Sequence, residues 1–266
     1  LLNEDEMPEL PEVETIVRQL SNKIVGKTVN SIDIKDFKVI DVKIKNEVPF
    51  KIDKVYRRAK SIVMELDNGK VLLTHLRMTG YFNYNSFSNF EVGRFNFGDG
   101  SFLTHNSIRK FGGIRLLTSV ELEQEFFKLG VEPLSSDFTL EKFNSIILKK
   151  RNANIKGILL DQSLIAGIGN IYAQEALYFA GVDPRKKAVE LSEKQVVSLH
   201  LEIIRILSMA VKKKGSTVNN YTNVDGAGNY QNYLVVYNKF QCLKGHEIQK
   251  INIGGRGTSY CPECQR

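Results

Sequence analysis

The apolar positions of the chain change period twice. Leu10, Val13, Ile16, Val17 and Leu20 recur at the spacing of one helix face, which predicts a helix opening near residue 10. Pro11 suits a first helical turn, where its missing N–H has no partner to lose, and Glu12 and Glu14 complement the positive end of the helix dipole. Gly26 ends that element. From there the pattern turns to period two: Val29, Ser31 and Asp33 alternate with Asn30, Ile32 and Ile34, and similar runs recur at 39–44, 51–57, 61–66 and 71–76. Asp67-Asn68-Gly69 and Gly98-Asp99-Gly100 supply the positive-φ positions of tight hairpins. Many short strands with such turns predict a β-sandwich or barrel carrying the first helix on its flank.

Alternation stops at Gly130-Val131-Glu132-Pro133-Leu134-Ser135-Ser136-Asp137, which reads as a linker. Helical periodicity follows at 138–149, 155–161, 170–180 and 191–213. Residues 212–230 are rich in lysine, glycine and asparagine and read as a loop. The expected organisation is α+β and multidomain: an extension at 1–6, a β-sandwich domain with its N-terminal helix at 7–131, a helical domain at 132–232 and a hairpin segment at 233–266.

Composition narrows the class. At 266 residues, 42% hydrophobic and 25% charged, the chain has the make-up of a globular protein of two ordinary domains. No run approaches the ~18 apolar residues of a membrane span, and no secretion signal is present, so the cytoplasm is the expected compartment. A formal charge of +7 favours a polyanionic partner without identifying one. All three cysteines fall after residue 240, a clustering that points to a metal rather than a disulfide.

The stretch with the sharpest chemistry is Met7-Pro8-Glu9-Leu10-Pro11-Glu12-Val13-Glu14. As local structure it is an ordinary helix start. If translation begins at Met7 and the methionine is removed, Pro8 presents a secondary amine. A helix N-terminus disfavours its cation, and a neutral amine can attack a sugar carbon to give a Schiff base. Glu9 is then placed as general acid or base. Residues 1–6, Leu-Leu-Asn-Glu-Asp-Glu, would block that amine if retained. The reading adopted is a start at Met7; a clipped leader and a binder without catalysis are the alternatives.

This opening run resembles the N-terminus of the formamidopyrimidine-DNA glycosylases, which excise oxidised purines and nick the strand. Lys60, in Arg57-Arg58-Ala59-Lys60-Ser61, matches the family lysine near the active-site phosphates. The resemblance makes Met78 and His75, in His75-Leu76-Arg77-Met78-Thr79-Gly80, a side chain entering the gap left by an everted nucleotide and one beside the DNA backbone. Without it, each reads as a core or satisfied polar group. Arg109-Lys110-Phe111-Gly112 matches the loop whose arginine faces the orphaned base and whose aromatic kinks the duplex. An exposed aromatic between basic residues and glycines is also a reasonable wedge on physical grounds. Gly167-Ile168-Gly169-Asn170-Ile171-Tyr172-Ala173 resembles the family's helix-two-turns-helix module, with Asn170 and Lys156 as residues at the DNA. Two glycines ahead of a helix also leave N–H groups free for an anion. Ser216, Thr217 and Tyr221 fall in the loop that closes over the lesion in the family, although 218–221 departs from the arginine-bearing pattern.

In the tail, Cys261-Pro262-Glu263-Cys264 is half of a structural zinc site, and Cys242 and His246 are the remaining donors. Family members carry four cysteines, so His246 stands where a cysteine is usual. Arg256, among the glycines of Gly254-Gly255-Arg256-Gly257, matches an arginine on the phosphates of the everted nucleotide. The resemblance, spanning 7–266, implies a monomeric glycosylase with abasic-site lyase activity, one structural zinc ion and damaged double-stranded DNA as partner. A non-catalytic damage binder and a glycosylase preferring oxidised pyrimidines are the rival readings.

Overall fold

A computed structural model describes residues 7–216 and 224–266; the extension at 1–6 and the loop residues Thr217 and Tyr221 lie outside the described residues. The chain forms two compact units. One comprises 7–128 with 214–216 and 224–228, the other 129–213 with 229–266. Residues 214–216 and 224–228 therefore belong with the sheet, not with the helical domain in which the sequence places them, because residues of the first helix hold them there. The tail hairpin joins the helices in one unit.

In the first unit, helix α1 (Leu10–Ile24) has Glu9 as N-cap and proline in its first turn. Its apolar face, Val13, Ile16, Leu20 and Ile24, is fully buried. At roughly 1.5–3 kcal/mol for each large aliphatic side chain taken from water, that face holds the helix in place. Eight antiparallel strands follow: β1 (Thr28–Ile34), β2 (Phe50–Arg58), β3 (Ser61–Leu66), β4 (Lys70–His75), β5 (Gly80–Tyr84), β6 (Glu91–Phe97), β7 (Phe102–Ser107) and β8 (Gly113–Thr118). Their order is β5-β7-β6-β1-β2-β3-β4-β8. β1 and β2 pair only at Thr28 with Lys51 and Val29 with Phe50, so the sheet is two four-stranded halves joined at a narrow seam. Phe82, Phe95 and Leu103 from one half share a core with Ile62, Met64 and Leu72 from the other and with α1, which is the expected sandwich. Helix α2 (Ser119–Phe127) packs Leu122 on the opposite faces of β3 and β4, against Val63, Val71 and Leu73.

One expected strand is not formed. Residues 39–44 make a single bridge at Ile40 and then a 3-10 helix, Val42–Asn46. The Asp41 carboxylate accepts the Lys43 N–H at 3.0 Å, a local bond that competes with strand pairing.

The second unit holds α3 (Leu140–Lys149), α4 (Ile155–Leu160), α5 (Asn170–Phe179), α6 (Glu193–Lys212) and a hairpin of β9 (Gln249–Ile253) and β10 (Arg256–Tyr260). Gly130 is required where it stands, because a Cβ there would lie 2.2 Å from the Leu164 backbone. Asn154 caps α4, and between α4 and α5 the Gln162 amide bonds to Leu160 O, Ile168 O and Gly167 N, fixing the two turns. No described helix is long and apolar enough to cross a membrane.

Candidate catalytic and nucleic-acid-binding residues

Pro8 and Glu9 are both buried at the head of α1. Glu12, one turn on, is buried as well, and its carboxylate is shared. One oxygen accepts the Glu9 N–H at 3.0 Å and the other accepts the Ser216 N–H at 2.7 Å. Gly215 makes this possible: it takes φ +73°, and a Cβ on it would meet Glu12 Oε1 at 2.9 Å. Further along α1, Gln19 accepts the Val224 N–H at 2.9 Å and Lys23 pairs with Asp225 at 3.0 Å. Pro8 and Glu9 thus stand at the head of a helix that also holds Ser216, Val224 and Asp225.

Lys60 occupies the turn between β2 and β3 beside Ala59, which takes φ 53°. Arg57 braces that turn on α1, with Nε to Glu14 Oε2 and Nη1 to Ala59 O, both at 3.0 Å. Ser61 pairs with His75 across β3 and β4. The His75 imidazole is pushed down to about 3 by burial, reinforced by the Arg77, Lys60 and Arg115 cations. Its Nδ1 accepts the Arg77 N–H at 3.1 Å, so His75 is neutral with its proton on Nε2.

Met78 and Arg109 come together. The Arg109 Nη1 lies 3.7 Å from the Met78 sulfur, and the Arg109 N–H donates to Thr79 Oγ1 at 2.8 Å. Met78 is 8% exposed and Phe111 is 56% exposed, so the sulfur is tucked in while the ring stands in solvent. Gly112 allows the two loops to lie together, since a Cβ there would be 2.3 Å from His75 O, and Gly80 allows the tight turn of its own loop, since a Cβ there would be 2.5 Å from Leu76 O.

In the helical unit, polar side chains converge on the backbone of β10. Asn170 Nδ2 donates to Gly257 O at 3.0 Å, and Lys156 Nζ donates to Thr258 Oγ1 at 2.5 Å and to Gly257 O at 3.4 Å. Lys156 is fully buried, so the ammonium expected at the DNA bonds inside the unit. Arg256 is half-buried at the start of β10, directly after the Gly254-Gly255 turn, whose φ values of +59° and +79° only glycines adopt readily. Glu175 is fully buried and accepts the N–H groups of Val235, Val236 and Tyr237, each at 2.9 Å. Burial raises its pKa and these three donors oppose the rise, with the net shift upward.

Cys242, His246, Cys261 and Cys264 place their ligand atoms within 4.8 Å of one another. His246 turns Nδ1 to the cluster, 3.3 Å from Cys264 Sγ and 3.8 Å from Cys261 Sγ. Burial raises the Cys242 thiol, but the N–H groups of Lys244 and His246 and the Tyr178 hydroxyl help hold it down to about 6. Cys264 is pushed up to about 11 by burial and the neighbouring thiols, a crowding of negative charge that a divalent cation relieves. Three sulfurs and one ring nitrogen in this space are a zinc donor set, and the chain carries one structural zinc site.

Sequence patterns alone missed the roles of Glu12, Gln174 and Glu175. The last two carry a readable signal, since a Gln-Glu pair inside the otherwise apolar stretch 171–177 has to find buried partners.

A buried helix-two-turns-helix segment bonded to a metal-binding hairpin in one unit, and a sandwich with paired loops in the other, define a DNA-binding protein of the helix-two-turns-helix class. Family models match along the chain: the formamidopyrimidine-DNA glycosylase N-terminal domain at 7–114, its H2TH domain at 129–222, and the zinc finger found in FPG and IleRS at 245–266. The last match begins after Cys242. A formamidopyrimidine-DNA glycosylase from Streptococcus pneumoniae is 41% identical over 98% of this chain and 99% of its own length. Among solved structures, the Lactococcus lactis Fpg in complex with abasic-site DNA superposes with a TM-score of 0.90 at 34% identity, covering 97% of this chain and 99% of that one. The wild-type L. lactis protein with DNA containing an oxidised pyrimidine gives 0.90 at 35% identity, with 97% and 100% covered. The chain belongs to the formamidopyrimidine-DNA glycosylase family.

Proposed function

We propose that this protein is a bifunctional DNA glycosylase and abasic-site lyase of base excision repair, removing oxidised purines such as 8-oxoguanine and formamidopyrimidines. The observation that carries the reading is the Pro8-Glu9 pair, buried at the head of α1 and tied through Glu12 to Ser216. Pro8 nitrogen attacks C1′ of the damaged nucleotide, the new C–N bond replaces the glycosidic bond, and the base leaves with a proton. Glu9 transfers a proton to the ring oxygen as the sugar opens, and the resulting iminium makes elimination of the flanking phosphates feasible.

Lys60, Asn170 and Arg256 hold phosphates, a guanidinium suiting that task through its paired donors. His75, neutral, offers its Nε2–H to the backbone. Met78, Arg109 and Phe111 fill the stack when the nucleotide leaves it, offsetting a few kcal/mol of unstacking. Ser216, Thr217 and Tyr221 belong to the segment set against the extruded base. Zinc, bound by Cys242, His246, Cys261 and Cys264, fixes the hairpin that carries Arg256 and has no part in the chemistry. The protein acts as a monomer in the cytoplasm.

Borohydride trapping on a duplex with a single abasic site tests the chemistry. A covalent adduct, from protein whose intact mass shows Pro8 as first residue, is the expected result. Absence of an adduct from such protein would leave a damage binder. A second reading, excision of oxidised pyrimidines, is favoured by the relative solved with DNA of that kind. Faster release of an oxidised pyrimidine than of 8-oxoguanine would establish it.

A further inference from the structure

Gln174 is almost completely buried on α5, and its carboxamide spends every group it has. One N–H donates to Asn170 O at 2.9 Å, within its own helix, and Nε2 also reaches Gly257 O at 3.3 Å. Its oxygen accepts the Ser259 N–H at 2.6 Å. In a parallel pairing one residue of the neighbouring strand binds the carbonyl at one position and the N–H two positions on, so the side-chain amide stands in for one residue of such a strand. Among the described residues β10 has a strand partner, β9, on one edge only. A two-stranded hairpin is marginal by itself, and a one-residue slip in register turns every side chain to the opposite face.

We propose that Gln174 is a positioning residue that pins the register of β10 and through it the place of Arg256. The proposal rests on the reading that Arg256 grips a DNA phosphate. Lys156 and Asn170 also bond to this stretch through their side-chain nitrogens, and Gln174 couples a donor and an acceptor across the two backbone positions that define register. Glutamate at 174 retains the acceptor for Ser259 and loses the donor for Gly257. Methionine retains the length and loses both.

The test uses the zinc-loaded full chain. In Gln174→Met, hydrogen exchange at the Ser259 amide of the free protein rises, with a smaller rise in Gln174→Glu, while zinc content stays at one per chain. Unchanged exchange overturns the proposal, and so does loss of zinc from both variants, which would make Gln174 a general support of the hairpin. On an abasic-site duplex, Gln174→Met weakens binding about tenfold and lowers the slope of log affinity against log salt by about one, as loss of one phosphate contact does. In an Arg256→Ala background the same substitution adds nothing further; an additive loss would overturn action through Arg256. If Arg256→Ala alone leaves the salt slope unchanged, the phosphate reading of Arg256 falls, and exchange at Ser259 decides the register claim by itself.

Discussion

The side chains proposed to enter the duplex and those that support the hairpin are held in opposite ways. In the sheet unit, Met78, Arg109 and Phe111 ride on loops in which Arg77 and Lys110 take positive φ, and Phe111 stands in solvent. In the helical unit, Lys156, Asn170 and Gln174 are buried and bonded to the hairpin backbone, and Glu175 secures the chain leading into it. Phe111, proposed as a wedge, has few resting contacts to leave, whereas Met78 is tucked in against Arg109 and would have to come out. A phosphate grip gains from a fixed position, so its supports are many and dry. Stability and function should therefore separate between these regions.

The largest effect expected is that of Glu175→Leu. It strips three buried N–H groups of their acceptor, and at about 1–3 kcal/mol for each the unit should lose about 3 kcal/mol or more. Denaturant unfolding measures this, and a loss below about 1 kcal/mol would break the contrast. Acid should act next, on the sheet unit. His105 is fully buried on β7, and burial pushes its imidazole down to about 4, against an ordinary 6.5, so unfolding takes up a proton as pH falls below 6.5. His105 thereby contributes about 3 kcal/mol that is fully present above pH 6.5 and lost by pH 4; because His75, held down to about 3, contributes comparably over the same range, His105→Phe should roughly halve the slope of that part of the stability–pH curve.

Gly112→Ala should cost about 2 kcal/mol, because the new methyl would overlap His75 O and Leu76 O. A similar midpoint for variant and parent would show that the two loops part easily. Smallest in stability is Phe111→Ala, within about 0.5 kcal/mol because the ring is exposed. Single-turnover excision from a duplex should nevertheless slow about tenfold, equivalent to ~1.4 kcal/mol of lost wedge energy. Unchanged excision would remove Phe111 from the stack-filling set.

Much of this was legible in the chain. The 3.6-residue spacing and Pro11 located α1, and alternation bounded by Asp-Asn-Gly located β3 and β4. The clustered cysteines and His246 marked the metal site, because ligand spacing is written in the sequence itself. Helix α2 escaped notice although a capping box, Thr118 with Glu121, announces it; with only Leu122 buried, its apolar stripe is too thin to register. Residues 39–44 misled because Asp41 turns the chain locally where alternation alone reads as strand. Glu12 read as a charge complementing the helix dipole, and Lys156 as a cation for DNA. Their partners, Ser216 and Thr258, are remote in sequence, so nothing nearby could have revealed those bonds.

Glu12 also acts as a ruler. Its two oxygens span the gap between the backbone ahead of α1 and a backbone amide some two hundred residues later, so the length of one side chain sets the distance between them. Aspartate, one methylene shorter, would have to release one of those amides to keep the other. Sequence drift at either end of that span is thereby constrained by the other end.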